Sequence, residues 1–230
     1  MSDKIMEAGN SVSVERCIIE KNITIPGLNL LITLEEQHEP CSSLNIALAI
    51  ADATGFLERK PEQGRVLVFS LENARKKTEQ MLIQYNAGIG DITGVYAYQK
   101  GTFGNRIEEG LDVFLQDNPR TKMIIVDSLE KVVEGETGQM KYGFAYNKLC
   151  ALKEVAGKHG VTLLVSTHTG DMENSGNFVD VADTVLEVIK NSSQSGEEYT
   201  LCISGKNISR TKAAVGFDTG RCRWNRATAR

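Results

Sequence analysis

Three side chains that can do metal, acid–base or hydrogen-bond chemistry stand at the ends of short, mostly apolar runs. They are Glu72, Asp127 and His168. An aspartate at such a place can hold a metal-bound water beside a nucleotide, and a glutamate can polarise an attacking water. An imidazole there can hydrogen-bond a phosphate and report its loss to the adjoining loop. The three residue types therefore point to a nucleotide phosphate site, provided that the fold brings them together.

Each of these residues also has a structural interpretation. Asp127 could cap the helix or turn that follows it, and Glu72 could satisfy helix N–H groups beside Asn73. A lone histidine such as His168 is more often structural than functional. The elements that carry the three residues decide between the interpretations.

Short β-branched runs alternate with longer amphipathic ones, which indicates parallel βαβ units, and after His168 the pattern changes to one typical of antiparallel strands. Residues 123–126 and 161–165 are apolar in succession and belong at the centre of the sheet. Ligands of such folds bind beyond the carboxyl ends of the strands. The predicted strands are Leu28–Leu34, Arg65–Leu71, Gly94–Tyr98, Lys122–Asp127, Val161–Thr167, Thr184–Ile189, Tyr199–Ser204 and Ala213–Phe217, with a possible edge strand at Arg16–Thr24. The predicted helices are Ser42–Ala53, Asn73–Tyr85, Asn105–Leu115 and Tyr142–His159.

The composition is that of an ordinary globular domain. Of 230 residues, 41% are hydrophobic and 24% charged, which excludes a disordered or fibrous protein. No linker divides the sequence, so we expect a single domain over 1–230 with a flexible N-terminus at 1–15. The sequence has no long apolar run and no secretory signal, and its five cysteines lack metal-ligand spacing. These features predict a reduced, cytoplasmic protein without membrane contact.

The charge distribution is uneven. The net charge of −4 excludes a general nucleic-acid coat, but the residues from 210 to 230 are strongly basic. This stretch is either a solvated tail or a basic edge for phosphates or an acidic neighbour. Lys206 and Arg210 are either simply exposed or, in a ring, reach a neighbour's phosphate as an arginine finger does.

The order of these parts resembles that of the RecA-like P-loop ATPases, and within them the RepA-type and DnaB-type hexameric replicative helicases. Residues 64–72 resemble the strand that delivers that family's catalytic glutamate, and Lys122–Ser128 resembles its Walker B strand. Residues 163–169 are similar to the strand that ends in its sensor. Three later segments, 176–184, 204–210 and 217–224, are similar to the entry into the next strand, the finger strand and the closing aspartate-to-tryptophan hairpin.

This resemblance implies a RecA-like P-loop NTPase fold, an α/β architecture with a central, mainly parallel, twisted sheet flanked by helices and an antiparallel C-terminal extension. It implies catalytic roles for Glu72 and His168, a magnesium-side role for Asp127, and nucleotide contacts from Lys206 and Arg210. ATP and Mg²⁺ are the implied cofactors. The implied partners are further copies of the chain, in a hexamer or a dimer, and DNA or replication proteins.

The phosphate loop departs from the family's pattern. G-x-x-x-x-G-K-[ST] is expected between the first strand and its helix, but residues 35–42 read EEQHEPCS. Aligned on Ser42, a glutamate and a proline stand at the glycine positions and Cys41 stands at the lysine position. Only Ser42 matches, as the hydroxyl that would bind magnesium. Cys41, Ser42 and Ser43 are then the residues expected at the phosphates.

Each change acts against triphosphate binding. Glutamate resists the positive φ that glycine allows, proline removes an N–H donor, and cysteine has no cationic form. The added carboxylates matter too, because two like charges about 4 Å apart repel by roughly 4 kcal/mol at an effective dielectric of about 20, or about three decades of affinity. We hypothesise that one carboxylate, Glu39 above all, occupies or shields the phosphate position at the helix N-terminus. The alternative is a loop remnant without order.

Two functions remain open. The favoured one is a non-catalytic or weakly nucleotide-binding scaffold or regulator linked to DNA replication, in effect a pseudo-ATPase. The alternative is an active ATP-dependent helicase or ATPase motor that uses a non-standard phosphate loop. A plain DNA-binding module is a third interpretation, but the sequence has no helix-turn-helix signature and few aromatic residues for stacking on bases.

Overall fold

Strands alternate with helices along the chain. The structure, a computed structural model, describes residues 17–19, 23–24, 27–33, 42–57, 61–70, 79–80, 83–84, 95–98, 106–133, 142–168, 178–191, 198–206, 209–218 and 223–226. The strands are β1 (Cys17–Ile19), β2 (Ile23–Thr24), β3 (Gly27–Thr33), β4 (Arg65–Ser70), β5 (Val95–Tyr98), β6 (Thr121–Asp127), β7 (Thr162–His168), β8 (Thr184–Asn191), β9 (Glu198–Gly205), β10 (Thr211–Asp218) and β11 (Arg223–Arg226). The helices are α1 (Ser42–Ala51), α2 (Ile107–Asp117), α3 (Leu129–Val133), α4 (Tyr142–His159) and α5 (Phe178–Val181).

Nine of the described strands form one sheet in the order β11-β10-β9-β8-β3-β7-β6-β4-β5. The six strands from β8 to β5 in this order are parallel, and β9, β10 and β11 continue the sheet in antiparallel fashion. The register aligns Thr33 with His168, and Ser70 with Asp127. The carboxyl ends of four central strands therefore lie along one edge, and the predicted fold class is confirmed.

Two hydrophobic clusters cover the two faces of the sheet. Because side chains alternate along a strand, Leu164 packs into the cluster that contains α1, and Val165 packs into the cluster that contains α2 and α4. The same alternation holds for Ile125 and Val126 on β6. Both faces of these strands are thus buried, which explains why their residues are apolar in succession.

Helix α1 is buried on all sides. Every residue from Ser42 to Ile50 is buried, and the helix packs on one face of the sheet, where it contacts β4, β5, β6 and β11. Trp224 packs in the same cluster and makes edge-to-face contacts with Tyr199 and Phe217, at centroid distances of 5.0 and 5.5 Å. Phe217 pairs with Trp224 across β10 and β11, so the hairpin expected at 217–224 is confirmed.

Some expectations are corrected or remain outside the described residues. The possible edge strand at Arg16–Thr24 is instead the two strands β1 and β2, which pair with each other in a separate sheet around the polar residues 20–22. The antiparallel part begins at β9, because β8 is still parallel to β3. Helices α3 and α5 were not predicted, as four or five residues are too few to show a period. The helix predicted at Asn73–Tyr85 lies mostly outside the described residues, of which 79–80 and 83–84 are helical.

The N-terminal segment 1–15, predicted to be flexible, also lies outside the described residues. No helix in the described ranges has the length and apolar character that crossing a membrane requires.

Candidate functional site

The carboxylate of Asp127 lies between two serine hydroxyls at the carboxyl edge of the sheet. Ser166 Oγ donates to Asp127 Oδ1 at 2.5 Å, and Ser43 Oγ donates to Oδ2 at 3.4 Å. Ser166 lies on the adjacent strand β7, and Ser43 lies in the first turn of α1. Asp127 therefore joins β6, β7 and the start of α1. These contacts, made with residues remote in sequence, are tertiary contacts beyond any local cap.

Ser43 and Asp127 fit a magnesium ion. A hydroxyl and a carboxylate are hard oxygen ligands, and in P-loop sites magnesium is held by a Ser or Thr hydroxyl and an aspartate, with waters and phosphate oxygens completing the octahedron. The described residues contain no group of three or more His, Cys, Asp or Glu that could hold a metal ion.

The two serines at the start of α1 have different surroundings. Ser42, which the motif alignment predicts as the magnesium ligand, lines an apolar cavity together with Leu31 and Trp224. Its neighbour Ser43 is the residue in contact with Asp127. Both serines are buried. The structure thus brings Ser43 and Asp127 together and places Ser42 beside the cavity.

Glu130 is a residue of this edge that the sequence analysis missed. It lies in the first turn of α3, three residues after Asp127, and is only 8% exposed. Its Oε1 accepts hydrogen bonds from Thr167 Oγ1 and, at 3.0 Å, from the main-chain N–H of His168. The sequence contained a signal for it. An acid three residues after Asp127, the last residue of β6, has to lie close to the carboxyl edge of the sheet.

His168 ends β7 at the same edge, as predicted. Its Nδ1 is 3.9 Å from Glu130 Oε2. The structure therefore places Asp127 and His168 on neighbouring strand ends, close to the start of α1.

Lys206 and Arg210 lie at the opposite edge of the sheet. β9 pairs antiparallel with β8 so that Gly205 aligns with Thr184, and Lys206 follows Gly205. Arg210 immediately precedes β10, the partner of β9. Both side chains are exposed. Residues on this edge are a strand length, about 17 to 23 Å, from Asp127 of the same chain and do not meet it there.

Asp183 is the best-connected acid of that opposite edge. Its Oδ1 accepts from Lys153 Nζ at 2.5 Å and lies 3.8 Å from Lys206 Nζ. Its Oδ2 accepts from the N–H of Leu28 at 3.0 Å. Asp183 thus anchors the beginning of β3 to α4 and to the end of β9.

Two further acids, on α2, have lowered pKa values because cations of α4 contact them. Burial raises the pKa of Glu108, but the hydrogen bond from Lys148, at 2.7 Å, a main-chain hydrogen bond and the charges of Lys148 and Arg106 together outweigh burial and leave the pKa below its usual value. The pKa of Asp112 is lowered by hydrogen bonds to Lys158 and then to His159, whose Nε2 is 2.6 Å away. These pairs hold α2 against α4. They lie away from the carboxyl edge of the sheet at which Asp127 lies, called the Asp127 edge below.

Several predicted site residues fall outside the described residues. They are Glu72, Cys41 and the whole of the predicted phosphate loop at 35–41, including Glu39. Of the predicted nucleotide contacts, the structure therefore describes Ser42, Ser43, Lys206 and Arg210, together with Asp127 and His168.

The fold is that of the RecA-like P-loop ATPases. A solved structure of a KaiC-like protein from the hyperthermophilic archaeon Pyrococcus horikoshii OT3 is similar, with a TM-score of 0.68 and 11% identity, over 92% of this chain and 94% of that one. At this identity the likeness shows the fold alone. The AAA domain family model matches residues 41–173, more than half of the chain, and the chain belongs to that family. Among curated proteins, none matches the sequence.

Proposed function

We propose that the chain binds a magnesium nucleotide weakly at the Asp127 edge and acts as a scaffold or regulator rather than as a motor. The observation that carries this proposal is the contact between Ser43 and Asp127, which supplies the two protein ligands that magnesium uses in P-loop sites. Membership of the AAA domain family supports an ATPase-type site at this place. The sequence of the loop before Ser43 is the reason to expect weak binding.

The contact also suggests a second alignment of the phosphate loop. If Ser43 takes the last position of the motif, Cys41 stands at the second glycine and Ser42 at the lysine. In either alignment both glycines and the lysine are absent. The expected loss of affinity therefore does not depend on the choice, and Glu39 remains our candidate for a carboxylate that shields the phosphate position.

The exposed cations of the opposite edge support an oligomer in this proposal. Lys206 and Arg210 do not reach Asp127 of their own chain, so any contact they make with a nucleotide comes across an interface with another copy. A homo-oligomer, a hexamer or a dimer, follows. Light scattering tests it, and a monomer at all concentrations would remove these two residues from the site.

The alternative is an active helicase or ATPase motor of the RepA or DnaB type. It requires a catalytic glutamate, for which Glu72 is the candidate, and phosphate sensing by His168. A link to DNA replication rests on the sequence resemblance. Binding of single-stranded DNA that weakens linearly in log salt would support that link, and no binding at low salt would argue against it.

Calorimetric titration with a non-hydrolysable ATP analogue, with and without Mg²⁺, tests the proposal together with an assay of phosphate release from ATP. We expect magnesium-dependent binding with a Kd of about 0.1 to 1 mM and no sustained release of phosphate. Micromolar binding with turnover would favour the motor. Absence of binding with and without magnesium would contradict the nucleotide part of the proposal.

A further inference from the structure

The buried carboxylate of Glu130 ties the ends of two neighbouring strands together. Glu130 follows Asp127, the end of β6, by three residues, and its Oε1 accepts from the hydroxyl of Thr167 and the N–H of His168 at the end of β7. A hydrogen bond to a carboxylate is stronger than one between neutral groups. The main-chain position of His168 is therefore fixed in part by Glu130.

Glu130 contacts β7 on the face of the sheet opposite to Ser43 and Asp127. Thr167 alternates with Ser166, so its side chain lies on the face of α2 and α4. Ser166 lies on the face of α1 and contacts Asp127. Asp127 at the end of β6 and Glu130 in α3 thus hold Ser166 and Thr167 of β7 from opposite faces of the sheet. Only Asp127 lies on the face of the proposed nucleotide.

The second oxygen of Glu130 is the observation that points to His168. Glu130 Oε2 is buried and has no hydrogen-bond partner among the described residues, and His168 Nδ1 lies 3.9 Å away. A buried carboxylate oxygen without a donor is unfavourable. The imidazole is within reach of a small rotation that would satisfy this oxygen.

We infer that Glu130 is a positioning residue, which acts on the proposed site through the placement of His168. It holds the main chain of His168 through Oε1, and its Oε2 offers the imidazole an acceptor after a small rotation. The part of this inference that concerns ligand binding rests on the proposed function. The contact itself does not, and it is measurable without any ligand.

Hydrogen exchange by NMR on the ligand-free chain tests the main-chain contact. We expect Glu130→Ala to raise the exchange rate of the His168 amide at least tenfold while the amides of Leu164 and Val165 keep their protection. Glu154→Ala, at an exposed position of α4, is the matched control and leaves all of these rates unchanged. An unchanged rate for the His168 amide in folded Glu130→Ala would overturn the inference.

Glu130→Gln keeps an acceptor oxygen and removes the charge, so it tests the imidazole contact even if the alanine variant does not fold. We expect the ring ¹⁵N resonances of His168 to shift in this variant, while those of His159, which contacts Asp112 instead, stay in place. Ring resonances of His168 that are identical to those of the unmodified chain would contradict the role of Oε2.

A double-mutant cycle links the contact to ligand binding. Glu130→Ala is expected to weaken binding of the magnesium ATP analogue about threefold or more, and to have no further effect in a His168→Ala background. An equal loss in both backgrounds would show that Glu130 does not act through His168. If the unmodified chain binds no nucleotide, the proposed function fails, and the exchange rates still decide whether Glu130 holds His168.

Discussion

Asp127 and Asp183 lie at opposite edges of one sheet and have different kinds of neighbours. Asp183 accepts hydrogen bonds from the ammonium of Lys153 and a main-chain N–H, and a second ammonium, from Lys206, lies nearby. Asp127 accepts hydrogen bonds from the hydroxyls of Ser43 and Ser166. One acid is thus paired with cations of its own chain, whereas the other is combined with a hydroxyl that can share a metal ion with it.

The comparison shows how two aspartates in one fold take on different roles. Ion pairing gives Asp183 a structural role, because the loss of one partner leaves the other with an uncompensated charge. Hydroxyl neighbours orient the carboxylate of Asp127, and a hydroxyl beside a carboxylate is a ligand set that suits magnesium. The same substitution should therefore mainly affect nucleotide binding at Asp127 and mainly affect stability at Asp183.

The largest effects are expected from asparagine at these two positions. Asp127→Asn should abolish the magnesium-dependent binding of the ATP analogue, since a neutral amide replaces the carboxylate ligand, and should change the free energy of unfolding by less than about 1 kcal/mol. Asp183→Asn should lower that free energy by about 2 kcal/mol, because it removes a charged hydrogen-bond acceptor. Urea unfolding and calorimetry measure the two quantities.

Circular dichroism of both variants serves as the check that they fold. If Asp127→Asn were as destabilising as Asp183→Asn and left the binding unchanged, Asp127 would be a structural acid like Asp183.

A smaller effect is expected from giving the Asp127 edge a cation of its own. Cys41→Lys restores the motif's lysine in the alignment on Ser42, and Ser42→Lys restores it in the alignment on Ser43. A lysine at residue 42 borders the apolar cavity and is destabilising, so circular dichroism first checks that Ser42→Lys folds. Because Ser43 is the residue in contact with Asp127, we expect folded Ser42→Lys to tighten binding of the magnesium nucleotide about tenfold and Cys41→Lys to tighten it less. Calorimetry of the two lysine variants ranks them, and the opposite ranking would favour the alignment on Ser42.

The smallest effect is expected at a third acid, Asp112, which like Asp183 is paired with a lysine. The lowered pKa of Asp112 means that its contribution to stability is present above the ordinary value of 3.8 and is lost as the pH falls through the lower, folded value. Asp112→Asn should therefore unfold more easily than the unmodified chain at neutral pH, and the difference should vanish once the pH has fallen below the lowered pKa of Asp112. The measurement is the urea midpoint of both proteins as a function of pH. A difference in midpoint that does not change with pH would show that the charge of Asp112 plays no part.

Much of the fold follows from the sequence because its signals are local. Consecutive apolar residues mark the buried strands β6 and β7, and a helical period marks α4, whose predicted bounds agree with the structure. The positions of Asp127 and His168 at strand ends follow from the same runs. The parallel order of the central strands then brings these ends to one edge.

Other features depend on contacts between distant residues, which local patterns do not contain. Ser42 and Ser43 are identical in type and adjacent, and only the packing of α1 distinguishes their neighbours. Glu130 lies in a helix too short to show a period, and its partners are 37 and 38 residues away. β1 and β2 pair with each other, and the extended pattern over residues 16–24 did not reveal that it divides into two strands.

Paramagnetic broadening of amide resonances tests most directly the claim that Ser43 and Asp127 hold the metal of a bound nucleotide. Mn²⁺, which shares the oxygen-ligand preference of Mg²⁺, is added with the ATP analogue to the unmodified chain and to Ser43→Ala and Ser42→Ala, two substitutions of buried neighbours. We predict that the amides of Ser43 and Asp127 broaden while that of Asp112, on α2 and away from both Asp127 and Lys206, stays sharp, and that Ser43→Ala alone abolishes the effect. Broadening centred on Asp112, or equal broadening in all three proteins, would contradict the account.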